Sequence, residues 1–265
     1  MIYDDDDDLI GLDTDLDIDL DTDLDTAADL TSPLDRLEPI EPESEASKPD
    51  PEEMLPLLDS PDVQQRMLAT RTFCELQDER AIPKLIQLLT DSCPLVRVSA
   101  AYALGRNPSP GAVEPLIKQL HQDWNGYVRK GVVWAMGNCR DRRCLPPLME
   151  ALKTDIPAVR LWAASSLGQS AVLGYEVAVS AVPPLIKGLI RDPVAAVRSN
   201  CAWALGQLCR ELPSNIVYAG AIDGLIEALE DEEMGVREDA KASLLRVGDP
   251  RGLQVIEEME LEGLL

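Results

Sequence analysis

Apolar and polar positions alternate in blocks that recur at a near-constant spacing over residues 54–265. Each block opens with an apolar stretch, and these stretches read AIPKLIQLL, AVEPLIKQL, CLPPLMEAL, AVPPLIKGL and AIDGLIEAL. A polar turn follows, of the form Asp-x-x-x-x-Val-Arg or nearly so: DSCPLVR (91–97), DWNGYVR (123–129), DIPAVR (155–160), DPVAAVR (192–198) and DEEMGVR (231–237), with a degraded copy at 59–65. The steps from Arg to Arg are 32, 31, 38 and 39 residues. Self-similarity at this period predicts a stack of helical repeats.

Each repeat predicts two short helices. Helix A carries the apolar stretch, with Pro in its first turn, where the missing N–H costs little. The turn Asp is placed to cap helix B, which begins near the Val-Arg pair. Glycines eight residues after the Arg suit a left-handed stop at the end of helix B: Gly105, Gly137, Gly168 and Gly206. Because such short helices are unstable alone, they must bury their apolar faces against neighbouring repeats. The pattern predicts an all-α protein, an α-solenoid of about six helix pairs.

Residues 1–53 form a different region, with 21 of the 48 acidic residues and two of the 24 basic ones. Leu or Ile alternates with Asp from Leu12 to Asp25, and Pro, Glu and Ser are frequent from Thr31 to Pro51. Asp is rare in strands and the like charges repel, so we predict a disordered acidic arm and a linker. The arm is either a solubilising tail or a docking segment for a basic partner or for the protein's own groove.

The recurring Asp and Arg residues predict a ladder in which side chains of adjacent repeats pair along the stack. We interpret them as structural rather than catalytic, since a repeated residue meets a repeated structural need. The predicted ladder consists of Asp91, Arg97, Asp123, Arg129, Asp155, Arg160, Asp192, Arg198, Asp231 and Arg237.

Phasing helix B at 100° per residue places one position on its far side, six residues after the Val. This position is occupied by Tyr102, Trp134, Ser165 and Trp203, and by Thr70 in the degraded repeat. Lys130 lies near the same face. Large aromatic side chains favour binding hot spots, so we predict a partner-binding groove on the concave helix B surface. Alternatively, these aromatics fill gaps between repeats.

Two connections are longer than the others, before Pro184 and before Gly224, and they carry Tyr175 and Tyr218. They are either surface insertions, which often bind partners, or the product of a longer helix B.

Residues that could carry chemistry are few. His121 is the only histidine, and no phosphate-binding motif or nucleophile elbow occurs. Cys139 and Cys144 form a weak candidate metal site, in which neighbouring arginines are expected to lower the thiol pKa values. We predict no catalytic residue, no metal and no cofactor.

Charge and hydropathy narrow the partners and the compartment. The net charge of −24 argues against nucleic acid. The absence of a signal segment and of a long apolar run predicts a cytoplasmic protein without membrane insertion.

The motif V-R-x-x-A-A-x-A-L-G (Val96–Gly105), followed by A-x-x-P-L-I, resembles the phycobilisome-lyase-type HEAT repeats of cyanobacteria over roughly residues 55–255. The resemblance implies a protein partner, either an iron–sulfur carrier or a photosynthetic subunit. With the acidic arm, it favours a non-enzymatic adaptor that interacts with an A-type iron–sulfur carrier. The alternative is a bilin lyase or lyase-like chaperone subunit acting on phycobiliproteins. A bound tetrapyrrole with two propionates would require basic groups near the groove, for which Lys130, Arg106 and Arg210 are candidates.

Overall fold

The computed structural model describes residues 49–264, which contain thirteen α-helices joined by turns and short 3-10 helices. The α-helices are α1 (Pro51–Met54), α2 (Val63–Thr72), α3 (Ile82–Leu88), α4 (Pro94–Arg106), α5 (Val113–Gln122), α6 (Gly126–Cys139), α7 (Leu145–Thr154), α8 (Pro157–Gln169), α9 (Tyr175–Arg191), α10 (Ala195–Leu208), α11 (Ile216–Glu227), α12 (Met234–Val247) and α13 (Pro250–Leu261). The predicted disordered arm lies outside the described residues, except that α1 begins at Pro51, before the predicted boundary at residue 54.

The helices form six antiparallel pairs followed by a terminal helix. The A helices are the 3-10 helix Pro56–Asp59 and then α3, α5, α7, α9 and α11, and the B helices are the even-numbered helices from α2 to α12. Each B helix packs on its own A helix and on the B helices before and after it. Helix α13 packs against α11 and α12 at the end of the stack. The predicted all-α solenoid of about six helix pairs is confirmed.

The A helices differ in where their prolines lie, and α11 contains none. Pro lies in the first turn of α3 and α7, as predicted. In α9, Pro183 and Pro184 lie inside a helix of 17 residues that begins at Tyr175. The first long connection therefore lengthens helix A at its N-terminal end, and our expectation of a surface insertion or a longer helix B was wrong there. Its Tyr175 remains about half exposed.

The glycine that recurs in helix B has a packing cause rather than a capping one. Gly105, Gly137, Gly168 and Gly206 all lie inside helices, and the positive φ angles in the described residues belong to Arg140, Gly174, Gly248 and Gly263. A Cβ on Gly168 would lie 2.9 Å from the Ala204 Cα of the next B helix. A Cβ on Gly137 would lie 2.6 Å from the Ser166 Oγ. Our prediction of left-handed stops was wrong, because these glycines let adjacent B helices approach closely.

Close packing of the B helices also sets the curvature. The A helices of neighbouring pairs make fewer direct contacts than the B helices do. Because the more closely spaced layer of a curved stack is the inner one, we expect the B helices to line the concave side, as predicted.

Replacing Gly168 by alanine should lower the free energy of unfolding by about 1 to 3 kcal/mol, because the new methyl group forces α8 and α10 apart. Gly235 in α12 is the matched control, since a Cβ there meets nothing within 4 Å. Gly235→Ala should leave stability unchanged or raise it by up to about 1 kcal/mol. Denaturant unfolding of both variants measures the difference, and equal effects would contradict the packing role.

The turn Asp does not cap helix B itself but binds the backbone of the residue that does. Asp123 Oδ1 accepts a hydrogen bond of 2.9 Å from the backbone N–H of Asn125. Asn125 is the residue that caps α6, through bonds from the N–H groups of Tyr127 and Val128. Our prediction that the Asp itself caps helix B was wrong, because its carboxylate closes the preceding turn and faces the neighbouring repeat.

The arginine of each repeat reaches forward to the Asp of the next. Arg97 donates from Nε to Asp123 Oδ2 at 2.7 Å and from Nη2 to Asp123 Oδ1 at 3.0 Å. Its Nη1 donates to the Asp91 carbonyl of its own repeat at 3.0 Å. The same forward pairing joins Arg66 to Asp91, Arg129 to Asp155, Arg160 to Asp192 and Arg198 to Asp231. Arg237, in the last repeat, donates to the carbonyls of Asp231 and Glu232.

The degraded first repeat also takes part in this pairing, in a register one residue later than we predicted. Arg66 donates to the Ser60 carbonyl, as Arg97 does to the carbonyl of Asp91. Ser60 thus stands where later repeats have Asp. The residue equivalent to Tyr102 is then the exposed Arg71, whereas Thr70 is buried.

Candidate partner-binding face

One stripe of each B helix remains accessible on the concave side, and we call it the B face. On each B helix it comprises those residues two, three, six and ten positions after the Val of the Val-Arg pair that are not buried. Of the predicted groove residues, Tyr102, Trp134, Ser165 and Trp203 are partly exposed on it. Lys130 is 1% exposed, so it lies beneath the surface rather than lining the groove as predicted.

Tyr102 and Trp134 form an interlocked pair between α4 and α6. Their ring centroids are 5.1 Å apart and their planes are tilted by 43°. The Trp134 ring covers Gly105 of the preceding helix, and the Tyr102 ring covers Gly131 of the following one. These aromatics therefore pack between repeats, as the alternative interpretation expects, and they are still partly exposed, so their role in partner binding stays a prediction.

The predicted row of aromatics is interrupted farther along. Trp203 covers Gly168 between α8 and α10, while the small Ser165 lies in between. Sequence phasing missed Trp162, which lies three residues after the Val of its helix. The Lys130 Nζ lies 5.3 Å from the centroid of the Trp162 ring, a cation–π distance. Within residues 49–264 there are thus two separate aromatic–cation contacts, Lys130 with Trp162 and Arg106 with Trp134, rather than one continuous row of aromatic rings.

A cleft of about 480 Å³ opens where α4 and α6 end, and we call it the arginine cleft. Its lining includes Arg106, Trp134, Asn138 and Arg140. The Arg106 guanidinium carbon lies 5.7 Å from the centroid of the Trp134 ring. Arg140 follows the last turn of α6 with a left-handed φ of 49°, unusual for a residue with a side chain. The cleft thus combines an aromatic face with two guanidinium groups.

These two cations differ from their neighbours in their electrostatic surroundings. Arg142 pairs with Glu176 at 2.9 Å, and Arg143 pairs with Asp141 at 2.8 Å. Arg106 and Arg140 are exposed, and neither forms an ion pair with any residue of the 49–264 region. Both charges are therefore available to an anionic ligand. Arg210, the third basic candidate, lies after α10 and does not line the cleft.

The cysteines near the cleft are protonated thiols rather than activated ones. Burial raises the pKa of the Cys139 thiol to about 11 and that of Cys144 to about 12, which outweighs the lowering by Arg143. Our prediction that flanking arginines lower these pKa values was wrong. Within residues 49–264 no group of three or more His, Cys, Asp or Glu side chains could hold a metal ion.

None of the described helices is long and apolar enough to span a lipid bilayer.

Comparison with known proteins places the repeats. HEAT-repeat family descriptions match residues 51–124, 113–182 and 182–262. The phycocyanobilin lyase subunit alpha of Picosynechococcus sp. is 29% identical over 189 residues, which is 65% of this chain and 66% of that protein, just under two thirds of its length.

Solved structures share the architecture. The complex of CpcE and CpcF of phycocyanin lyase from Nostoc sp. aligns with a TM-score of 0.57 and 22% identity, over 81% of this chain and 83% of that one. A designed armadillo repeat protein in complex with the peptide (KR)4 aligns with a TM-score of 0.57 and 22% identity, over 74% of this chain and 98% of that one. The chain therefore belongs to the HEAT-repeat family.

Proposed function

We propose that this chain is a bilin lyase subunit or lyase-like chaperone, which holds a linear tetrapyrrole for transfer to or from a phycobiliprotein cysteine. The observation that carries the proposal is the arginine cleft, which places Arg106 and Arg140 beside the Trp134 ring. The similarity to a phycocyanobilin lyase subunit supports this function better than it supports an adaptor for an iron–sulfur carrier.

The cleft suits the two parts of a bilin in different ways. It is an open, largely polar depression with a volume of about 480 Å³, so a bound pigment would remain partly exposed to solvent or to a partner protein. The flat conjugated rings would lie against the exposed part of Trp134, and each propionate would accept hydrogen bonds from one guanidinium. The resulting contacts hold the pigment by its rings and carboxylates, which leaves its reactive end to the acceptor protein.

The thiol in the cleft supports holding rather than permanent attachment. Cys139 lines the arginine cleft, and burial raises its pKa to about 11. Only the thiolate is a strong nucleophile, so near neutral pH this thiol does not compete with the phycobiliprotein cysteine.

The B face supports a protein partner for the same reaction. Concave solenoid surfaces are extended and accept large partners. Trp203 and Ser165 continue the face beyond the cleft and remain partly exposed. We place the phycobiliprotein, or a second lyase subunit, on this face.

Co-expression tests the proposed function directly. A phycobiliprotein subunit and its bilin are produced together in cells, with or without this chain and with or without a second lyase subunit. We expect covalent chromophore on the phycobiliprotein, or its removal, to depend on this chain, as measured by pigment fluorescence after denaturing electrophoresis. Equal chromophore content in every combination would overturn the proposal, and capture of an iron–sulfur carrier by the same chain would favour the adaptor.

A further inference from the structure

A second cationic cavity lies in the layer of A helices, between α7 and α9, and we call it the lysine cavity. It has a volume of about 310 Å³. Its lining includes Lys153 from α7 and Lys187 and Arg191 from α9. All three residues are exposed, and none forms an ion pair with a residue in the 49–264 region. The cavity thus presents three positive charges without counter-charges.

The carboxylates around the lysine cavity do not neutralise these cations. Asp192, in the lining, accepts hydrogen bonds from Nε and Nη2 of Arg160 at 2.7 and 2.8 Å. Glu150, the acidic residue of α7, is exposed, lies outside the lining and forms no ion pair within the described region. Other carboxylates of the neighbouring turns and A helices are already paired: Asp155 with Arg129, Glu176 with Arg142 and Asp223 with Arg251. Four cations and one carboxylate line the cavity, which leaves it a net charge of +3.

This concentration of cations has no cause in the repeat itself. Lys187 and Arg191 are four residues apart in α9, and like charges at this spacing destabilise a helix. The previous and the next A helix have a carboxylate at the position of Lys187, namely Glu150 and the exposed Glu227, so the fold does not require a cation there. In a chain of net charge −24, such a group of cations favours an anionic ligand.

The rest of the lining indicates the kind of anion. Five of the lining residues have an apolar side chain or none: Met149, Leu152, Pro184, Gly188 and Pro193. Ile190, 40% exposed, lies one turn after Lys187 on the same side of α9. A small inorganic anion would gain nothing from this apolar surface, whereas a peptide with carboxylates around an apolar side chain contacts both parts. Exposed apolar surface with a polar rim is typical of protein–protein contacts.

We propose that the lysine cavity binds an acidic segment of a partner protein, with one apolar side chain in the cavity and carboxylates on Lys153, Lys187 and Arg191. The cavity lies between A helices, whereas the arginine cleft opens where the B helices α4 and α6 end. A partner bound at the lysine cavity therefore leaves the arginine cleft accessible. The inference goes beyond the proposed function and does not depend on the bilin.

Fluorescence anisotropy of a labelled peptide tests the site on the full-length chain. The probe is fluorescein-labelled Glu-Glu-Leu-Glu-Glu, and no bilin is present. We expect saturable binding that Lys153→Glu/Lys187→Glu weakens by about tenfold, since two attractive charge pairs become repulsive. The peptide Glu-Glu-Gly-Glu-Glu should bind more weakly than the probe, by about threefold or more, because it leaves the apolar part of the cavity unfilled.

The variant Arg71→Glu/Arg246→Glu is the matched control. It makes the same charge change on exposed residues of α2 and α12 that form no ion pair within the part of the chain that the structure describes. It should bind the peptide as the natural chain does. Both double variants should keep the helical content of the natural chain, as measured by circular dichroism.

Equal affinity of the natural chain and Lys153→Glu/Lys187→Glu would overturn the proposal. A loss of affinity in Arg106→Glu/Arg140→Glu instead would place the peptide in the arginine cleft. Equal binding of the two peptides, with displacement by millimolar inorganic phosphate, would reduce the cavity to a site for simple anions. If the chain's own acidic residues 1–48 filled the cavity, the probe would not bind, and an external partner would be excluded. Because no bilin is present, these outcomes are independent of the co-expression result.

Discussion

Replacing Asp123 by alanine should lower the free energy of unfolding by about 3 to 5 kcal/mol, the largest stability loss that we expect from one substitution in the turns between helices A and B. Arg97 and Asp123 are 7% and 8% exposed and form a bidentate pair between consecutive repeats. Removing the carboxylate leaves the guanidinium buried without its counter-charge. Gln119 would also lose the acceptor of its 2.6 Å hydrogen bond.

Asp59→Ala is the matched control. Asp59 pairs with Lys84 at 2.7 Å, but its side chain is 57% exposed, so the expected loss is at most about 1 kcal/mol. A second variant, Arg97→Met/Asp123→Leu, replaces the buried pair by apolar groups and should recover much of the stability. If urea unfolding gave the same loss of unfolding free energy for Asp123→Ala and Asp59→Ala, the buried pair would contribute no more to stability than the exposed one.

The same carboxylate should make stability depend on pH. Burial raises the pKa of Asp123, but hydrogen bonds from Arg97, the Asn125 N–H and Gln119 outweigh it, so the pKa lies below its usual value. A carboxyl with a lowered folded-state pKa contributes stability above its unfolded-state pKa of about 4 and loses it as pH falls through the lowered value. The difference in unfolding free energy between the natural chain and Asp123→Ala should therefore have its largest value at pH 7 and decrease progressively below about pH 4. A difference that stayed constant down to pH 2 would contradict this account.

Local pattern predicted the elements of the fold but not how closely neighbouring helices approach each other. The period of 31 to 39 residues and the apolar stretches were sufficient for six helix pairs, because each pair needs only local sequence to form its amphipathic faces. The glycines could not be assigned in this way. A glycine eight residues after the Arg is near the end of helix B in either role, and only the distance to the next helix distinguishes a stop from a close contact.

The candidate site shows the same division between local and non-local information. Phasing placed Tyr102, Trp134 and Trp203 on the accessible side of helix B, because the direction of a side chain from one helix depends on its spacing along that helix. It could not show that Lys130 is buried beside Trp162 of the next repeat, which depends on packing between helices. The thiol pKa of Cys139 was mispredicted for a related reason, since nearby charges are visible in the sequence and burial is not.

Reversing two charges in the arginine cleft should weaken bilin binding by at least about 100-fold. Hydrogen bonds to charged groups contribute about 1.5–3 kcal/mol each, and Arg106→Glu/Arg140→Glu removes the partners of both propionates and adds repulsion. Both arginines are exposed and form no ion pair within the described part of the chain, and loss of the Arg106–Trp134 cation–π contact costs about 0.5–1 kcal/mol, so the free energy of unfolding should fall by no more than about 1 kcal/mol.

Titration of the full-length chain with a free bilin, followed by Trp fluorescence and bilin absorbance, measures this effect. The control Lys118→Glu/Arg191→Glu should bind as the natural chain does, since both residues lie on A helices, α5 and α9, and neither lines the cleft. The natural chain should quench Trp fluorescence on binding, because Trp134 lies in the cleft beside Arg106. Equal dissociation constants for the two double variants would exclude the arginine cleft as the bilin site, even if the chain proved to be a lyase subunit, because the carboxylates would then be held elsewhere on the B face.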